Sequence, residues 1–250
     1  MRKVAKKMRD VAEKMQDKLV VKRREDDALG DFDFPYTPGT GSGSLLGIDL
    51  LTTRCPYTGD MISEEMKTGS VDLMRGSRVQ MKGPNGIGKT TFLELLAKNE
   101  AEGVYLNKGA KIGYYRQDFN NFDFESTALE CLEKASGGSA SNQEIRATAG
   151  AFLLKNNIVK QQVKTLSEGQ KALLSLACLV LEAPSILIMD EPTNHVNFRH
   201  LPAVARAVSN FRGAVLLVSH DPHFVKDVGV DKVVDMGFEL GRGITQDVAA

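Results

Sequence analysis

The chain has 250 residues, 42% of them hydrophobic, and its 32 Lys and Arg balance 32 Asp and Glu; this suffices for a proper α/β core, and any nucleic-acid affinity must come from local patches rather than overall charge. No apolar run reaches membrane-spanning length and the charged start lacks a signal-peptide core, which excludes a channel or a membrane-inserted chain. Cys55, Cys131 and Cys178 are few, odd in number and without metal-like spacing, so they read as reduced thiols in a cytoplasmic protein.

Residues 1–27 predict a basic amphipathic helix. Val4, Met8, Val11, Met15 and Leu19 fall on one stripe, and Arg2, Lys3, Lys6, Lys7, Arg9, Lys14, Lys18, Lys22, Arg23 and Arg24 occupy the other faces. Such a helix is attracted to phosphate backbones with strong salt dependence; it also reads as a solvated face or half of a coiled-coil hairpin. Residues 28–46, with the aromatics Phe32, Phe34 and Tyr36 among turn formers, read as a linker draped over the domain that fills 47–250.

Residues 77–81 have a short strand pattern. They lead into Gly83-Pro84-Asn85-Gly86-Ile87-Gly88-Lys89-Thr90-Thr91, a phosphate-binding loop whose glycines let successive N–H groups converge on phosphates while Lys89 adds a mobile cation. Thr90 can place its hydroxyl on Mg²⁺. A helix follows through residue 98, its N-terminus favouring an anion.

Residues 120–180 look mainly helical, with a Gly/Ser loop at 136–141, and form a smaller lobe. Within it Leu166-Ser167-Glu168-Gly169-Gln170 opens an apolar-periodic helix at Ala172, Leu173, Leu176, Ala177, Val180 and Leu181. Ser167 and Gly169 at such a terminus can donate to phosphate oxygens; read alone, the segment is an ordinary N-cap. Residues 185–191 form an apolar run ending in Asp190 and Glu191, a buried parallel strand that delivers two acids where a doubly wound sheet presents its ligands. Asp190 would hold Mg²⁺ and Glu191 would polarise the water that attacks a γ-phosphate. A further strand pattern at 214–218 precedes His220, and residues 238–250 carry no signal.

In this order the segments resemble the ATP-binding cassette superfamily, from about Tyr57 to Val234. Residues 166–170 match its signature, Gln117 in Gly113-Tyr114-Tyr115-Arg116-Gln117 matches the Gln-loop, and His220 matches the switch histidine. The resemblance implies a P-loop NTPase with a mixed-sheet core lobe and a helical signature lobe. It also implies ATP and Mg²⁺ as cofactors, Gln117 sensing the metal and the attacking water, and His220 contacting the γ-phosphate. Tyr57 stands near the position of the family's adenine-stacking aromatic, although a turn tyrosine packing on the surface fits equally. Two residues depart from the family. Glu168 stands where Gly is usual, so it must point away or weaken the site, and Asn197 stands where Asp is common.

Glu191-Pro192-Thr193-Asn194-His195, with 218–221 and the leading basic helix, resembles the ABC-F family of soluble translation factors with two cassettes. That resemblance implies an ATPase that binds the ribosome and transfer RNA through the basic helix. It also implies a second cassette, in cis within a longer chain or in trans, because phosphate loop and signature serve different nucleotides in the family's head-to-tail dimer. The alternatives are a transporter's nucleotide-binding subunit and a weakly hydrolysing regulatory cassette.

Overall fold

The computed structural model describes residues 28–39, 43–49, 70–155 and 157–236, and the backbone of 246–247. Residues 1–27, where a basic helix is predicted, and Tyr57 lie outside the described residues.

Six strands form the main sheet, in the order β5 (Ile112–Tyr115), β6 (Ile186–Asp190), β7 (Ala214–Val218), β3 (Arg78–Lys82), β8 (Lys232–Asp235) and β9 (Gln246–Asp247). The first five are parallel, and β9 closes the edge antiparallel to β8. A separate antiparallel sheet is built from β2 (Ser70–Leu73), β1 (Leu46–Asp49) and β4 (Val104–Leu106). Strands β6 and β7 are buried along their whole length, which explains why both are continuous apolar runs rather than alternating ones.

Side chains that alternate along these two strands divide between two cores. Ile186, Ile188, Leu216 and Val218 pack with Phe92, Leu93 and Leu96 of α1 (Lys89–Lys98) and with Leu46 and Val71 of the small sheet. Leu187, Met189, Val215 and Leu217 face the other way. There they meet α4 (Glu168–Glu182), α5 (Leu201–Asn210) and α6 (Pro222–Val228).

The helical lobe contains α2 (Ala128–Ser136), α3 (Asn142–Ala151) and the start of α4. Thr127, Ser141 and Ser167 each begin a helix with a reciprocal capping box, closed by Glu130, Glu144 and Gln170. Cys131 and Cys178 are buried free thiols, and burial pushes the Cys131 thiol up to about 11.

Residues 28–39 run across both lobes. Phe32 stacks edge-on against Phe152 at 4.8 Å, while Phe34 and Tyr36 meet Phe211 edge-on at 6.4 and 6.1 Å. The Leu29 N–H donates to His200 Nδ1 at 3.1 Å, and Ser185 Oγ donates to the Thr37 carbonyl at 2.6 Å. An accepting Nδ1 requires neutral imidazole, and burial, aided by the Arg199 charge, lowers the His200 pKa in the same sense.

Candidate functional site

Because β3, β5, β6 and β7 are parallel, their carboxyl ends open on one edge of the sheet. That edge carries a cavity of about 430 Å³ lined by Asn85, Gly86, Gly88, Lys89, Thr90, Thr91, Gln117, Asp190, Glu191, Asn194 and His220 with Val218. A larger groove of about 830 Å³ adjoins it and shares His220, but it holds neither Asp190 nor Glu191, and Val225, Val230 and Val233 are part of its wall. Convergent polar groups, not volume, single out the smaller space.

The loop after β3 turns into α1 through Gly88 at φ 99°, a left-handed conformation that leaves glycine the natural occupant. Lys89 Nζ donates to the carbonyls of Gly83 and Pro84 at 2.7 and 3.0 Å. The ammonium thus bridges the start of the loop and the head of the helix. Gly83 and Pro84 also line the adjoining groove, so the loop forms the wall between the two spaces.

Asp190 and Glu191 leave β6 in different ways. Asp190 is 1% exposed and hydrogen-bonded by Thr90 and, at 3.5 Å, by the Tyr114 hydroxyl. Burial raises its carboxyl above the ordinary range and the Glu191 charge adds to this, whereas the Thr90 and Tyr114 hydrogen bonds and Lys89 oppose it. Glu191 has φ 46°, an uncommon backbone conformation for a side-chain-bearing residue. Its N–H donates to Val218 and its carbonyl accepts from Asn194, so the neighbouring strand and the following turn hold the strain. Glu191 Oε2 accepts the His220 N–H at 3.3 Å. Oε1 is buried with no hydrogen-bond partner; His220 Nε2 approaches to 3.3 Å, an ion-pair distance without hydrogen-bond geometry.

These donors fit a magnesium ion. A hydroxyl (Thr90), one carboxylate (Asp190) and an amide (Gln117) share the cavity wall, all hard oxygen ligands and too few to fill a shell without phosphate oxygens and water. No cluster of three or more His, Cys, Asp or Glu suited to a metal occurs among the described residues.

The raised Asp190 carboxyl has a measurable consequence. An acid whose folded pKa is raised stabilises the fold below its unfolded value, and that contribution is lost as pH rises through the folded value. Asp190→Asn is therefore expected to raise the melting temperature of the nucleotide-free protein near neutral pH, with the gain shrinking toward about pH 4. Thermal melts of both proteins across that range check it; an equal or lower melting temperature at neutral pH would count against the assignment.

Ser167, Gly169 and Gln170 do not line the cavity. They open α4, where Ser167 Oγ accepts the Gln170 N–H at 3.3 Å and Gln170 Oε1 accepts the Ser167 N–H at 3.0 Å. Ser167 is exposed, and its own O–H remains available to donate. Glu168 turns toward His195, with 3.1 Å between Oε2 and Nδ1, and the His195 ring lies 5.3 Å from that of Phe119. The carboxylate is thus held by the segment that follows Glu191. Asn197 bonds within its own turn, accepting the Arg199 N–H at 3.0 Å.

Sequence reasoning missed Asn194 and Tyr114. Tyr114 carried a signal: alternation along β5 puts it on the opposite face from Tyr115, whose ring is fully buried among the helices, and the register pairs it with Ile188 of the acid-bearing strand.

The ABC transporter family profile matches residues 66–194. ATP-binding cassette sub-family F member 3 of Homo sapiens is 34% identical over 185 residues, covering 68% of this chain and 26% of that protein. The chain spans 22 to 27% of the length of the first curated relatives it matches. Among solved structures, a dimeric post-hydrolysis ATP-binding cassette bound to ADP and Pi superposes with a TM-score of 0.62 at 20% identity, covering 82% of this chain and 99% of that one. This is a likeness of fold. An archaeal ribosome recycling factor, solved with a ribosomal stalk protein, gives a TM-score of 0.53 at 25% identity, covering 66% of this chain and 33% of that one.

Proposed function

Because the chain belongs to the ABC transporter family, whose profile covers more than half of it, we propose that it is an ATP-hydrolysing cassette of the ABC-F type acting on the ribosome. The observation that carries the ATPase reading is the convergence of phosphate loop, Gln117, Asp190, Glu191 and His220 on one cavity. The likeness to sub-family F member 3 supports the ABC-F type, and the likeness to a ribosome recycling factor supports the ribosomal part.

On this reading the triphosphate lies against the loop N–H groups and the head of α1. Lys89 exchanges its two carbonyl partners for phosphate oxygens, which favour it as anions. Thr90, Asp190 and Gln117 would hold Mg²⁺, which would supply positive charge to the phosphate oxygens. Glu191 Oε1, without a hydrogen bond, accepts the proton of the attacking water. His220, fixed beside it through its N–H, faces the γ-phosphate. Ser167 is exposed and Gly169 and Gln170 are half-buried beside it, placed to serve the nucleotide of a second cassette, as in a head-to-tail dimer; that none of them lines this chain's own cavity supports the arrangement. ATP shared between cassettes favours closure, and loss of the γ-phosphate removes the contacts that held it. No helix among the described residues is long and apolar enough to cross a membrane.

Ribosomes and transfer RNA are the proposed partners, approached through the basic residues 1–27, and the cytoplasm the proposed location. Trapping the ATP state with Glu191→Gln should make the protein pellet with purified ribosomes in ATP and not in its absence. Intact nucleotide binding with no ATP-dependent pelleting would sink the ribosomal reading and bring the transporter-subunit alternative forward.

A further inference from the structure

We propose that Arg116 positions Gln117 and ties it to the phosphate-loop helix, so that a single guanidinium sets where the Gln-loop amide stands in the nucleotide cavity. The inference rests on the reading of that cavity as a Mg²⁺–ATP site.

Gln117 reaches the cavity from a turn just past the end of β5 and needs something other than regular structure to hold it. Its two neighbours supply this. Arg116 Nε donates to Asp118 Oδ1 at 2.8 Å and Nη2 to Asp118 Oδ2 at 2.9 Å, a fork that grips the chain on both sides of Gln117. Asp118 also accepts the Asn120 N–H and side-chain amide at 3.1 and 2.5 Å, which fixes the outgoing turn. The same Arg116 Nη2 donates to Glu94 Oε1 at 2.6 Å. Glu94 lies one turn beyond Thr90 on α1, hence on the same helix face.

Beneath the guanidinium is the Tyr114 ring, 5.7 Å from its carbon, and the Tyr114 hydroxyl reaches Asp190. One side chain therefore touches three of the elements that build the cavity: α1, β5 and the Gln-loop. Its link to the Asp190 strand runs through Tyr114. An exposed ion pair would count for little, but Arg116 is only 15% exposed, and its geometry is bidentate within a network. Hydrogen bonding to Asp118 holds the guanidinium firmly charged and keeps the Asp118 carboxyl below its usual range. Lys has the charge but not the fork, so Arg116→Lys separates geometry from electrostatics.

The test compares binding of a fluorescent ATP analogue with Mg²⁺ and with EDTA, in the full chain. The variants are Arg116→Ala, Gln117→Ala, the double variant, Arg116→Lys, and Glu94→Gln, which leaves the Arg116–Asp118 fork in place. Affinity in EDTA should stay within about twofold in Arg116→Ala, Arg116→Lys and Glu94→Gln, none of which removes a group that lines the cavity. The tightening caused by Mg²⁺ should fall about threefold or more in each Ala variant and no further in the double, because Arg116 acts through Gln117. Arg116→Lys should lose most of that tightening, and Glu94→Gln a smaller part. Full tightening in Arg116→Ala, multiplicative loss in the double variant, or loss of binding already in EDTA would each overturn the proposal. Absence of analogue binding by the parent chain in both conditions would overturn the reading of the cavity itself.

Discussion

Glu191→Gln should slow ATP hydrolysis by a factor of about 100 to 10,000 while leaving ATP affinity within about twofold. The change is nearly isosteric. The amide oxygen of Gln can still accept the His220 N–H at the place of Oε2, so the strained turn at φ 46° keeps its supports from Val218 and Asn194. What disappears is a proton acceptor. Oε1 is buried, without a hydrogen bond, and close to the imidazole of His220; a carboxylate left so is costly unless chemistry uses it. Steady-state phosphate release at saturating ATP, paired with equilibrium nucleotide binding, reads both quantities. Residual hydrolysis within about threefold of the parent would remove Glu191 from the role of general base.

The largest effect on stability is expected at Gly213, far from the chemistry. A Cβ placed there would stand 2.1 Å from the Ser185 carbonyl oxygen and 2.5 Å from Cε1 of Phe211. Neither neighbour can yield cheaply. The Ser185 oxygen accepts the Ala214 N–H at 3.2 Å, the hydrogen bond that starts the β6–β7 pairing. Phe211 is buried between the aromatics of residues 28–39 and the sheet, and its carbonyl accepts from Arg78. Gly213→Ala should therefore cost about 3 kcal/mol or more, a fall in melting temperature of roughly 6–12 °C for a domain of this size. Urea unfolding with an unchanged m-value would show that the loss is in stability rather than in the unfolded state. A cost below about 1 kcal/mol would mean that the two strands can part without penalty.

The site and fold differ in how much of each could be read from sequence. The phosphate loop, the acids ending β6 and the histidine ending β7 could be placed together because each sits at the carboxyl end of a recognisable parallel strand. Parallel strands open on one edge by construction. The boundaries of β3 and α1 shift by a residue or two from the pattern, the usual ambiguity at element ends. Contacts between side chains far apart in sequence were not legible. Nothing local says that Glu168 turns to His195, 27 residues away, or that Tyr114 reaches Asp190. The requirement that Glu168 point away or weaken its site could be stated from charge alone, but the partner that receives it is set by the packing of α4 against the turn after β6. Nothing near Arg116 in sequence points to its partner either: Glu94 lies 22 residues away, on a different element.

The strand order also governs how the protein comes into being. Strand β3 lies between β7 and β8, so the phosphate loop gains its neighbours only after the whole helical lobe and three further strands have been made and docked. Contacts of such long sequence separation close late and slowly. A partly folded chain therefore has a phosphate loop but no assembled pocket, and nucleotide has nothing to recognise until the last parallel strands are in place. On the proposed reading, ATP is then expected to act as a lock on the finished fold, slowing its unfolding, and not as a template that hastens its assembly.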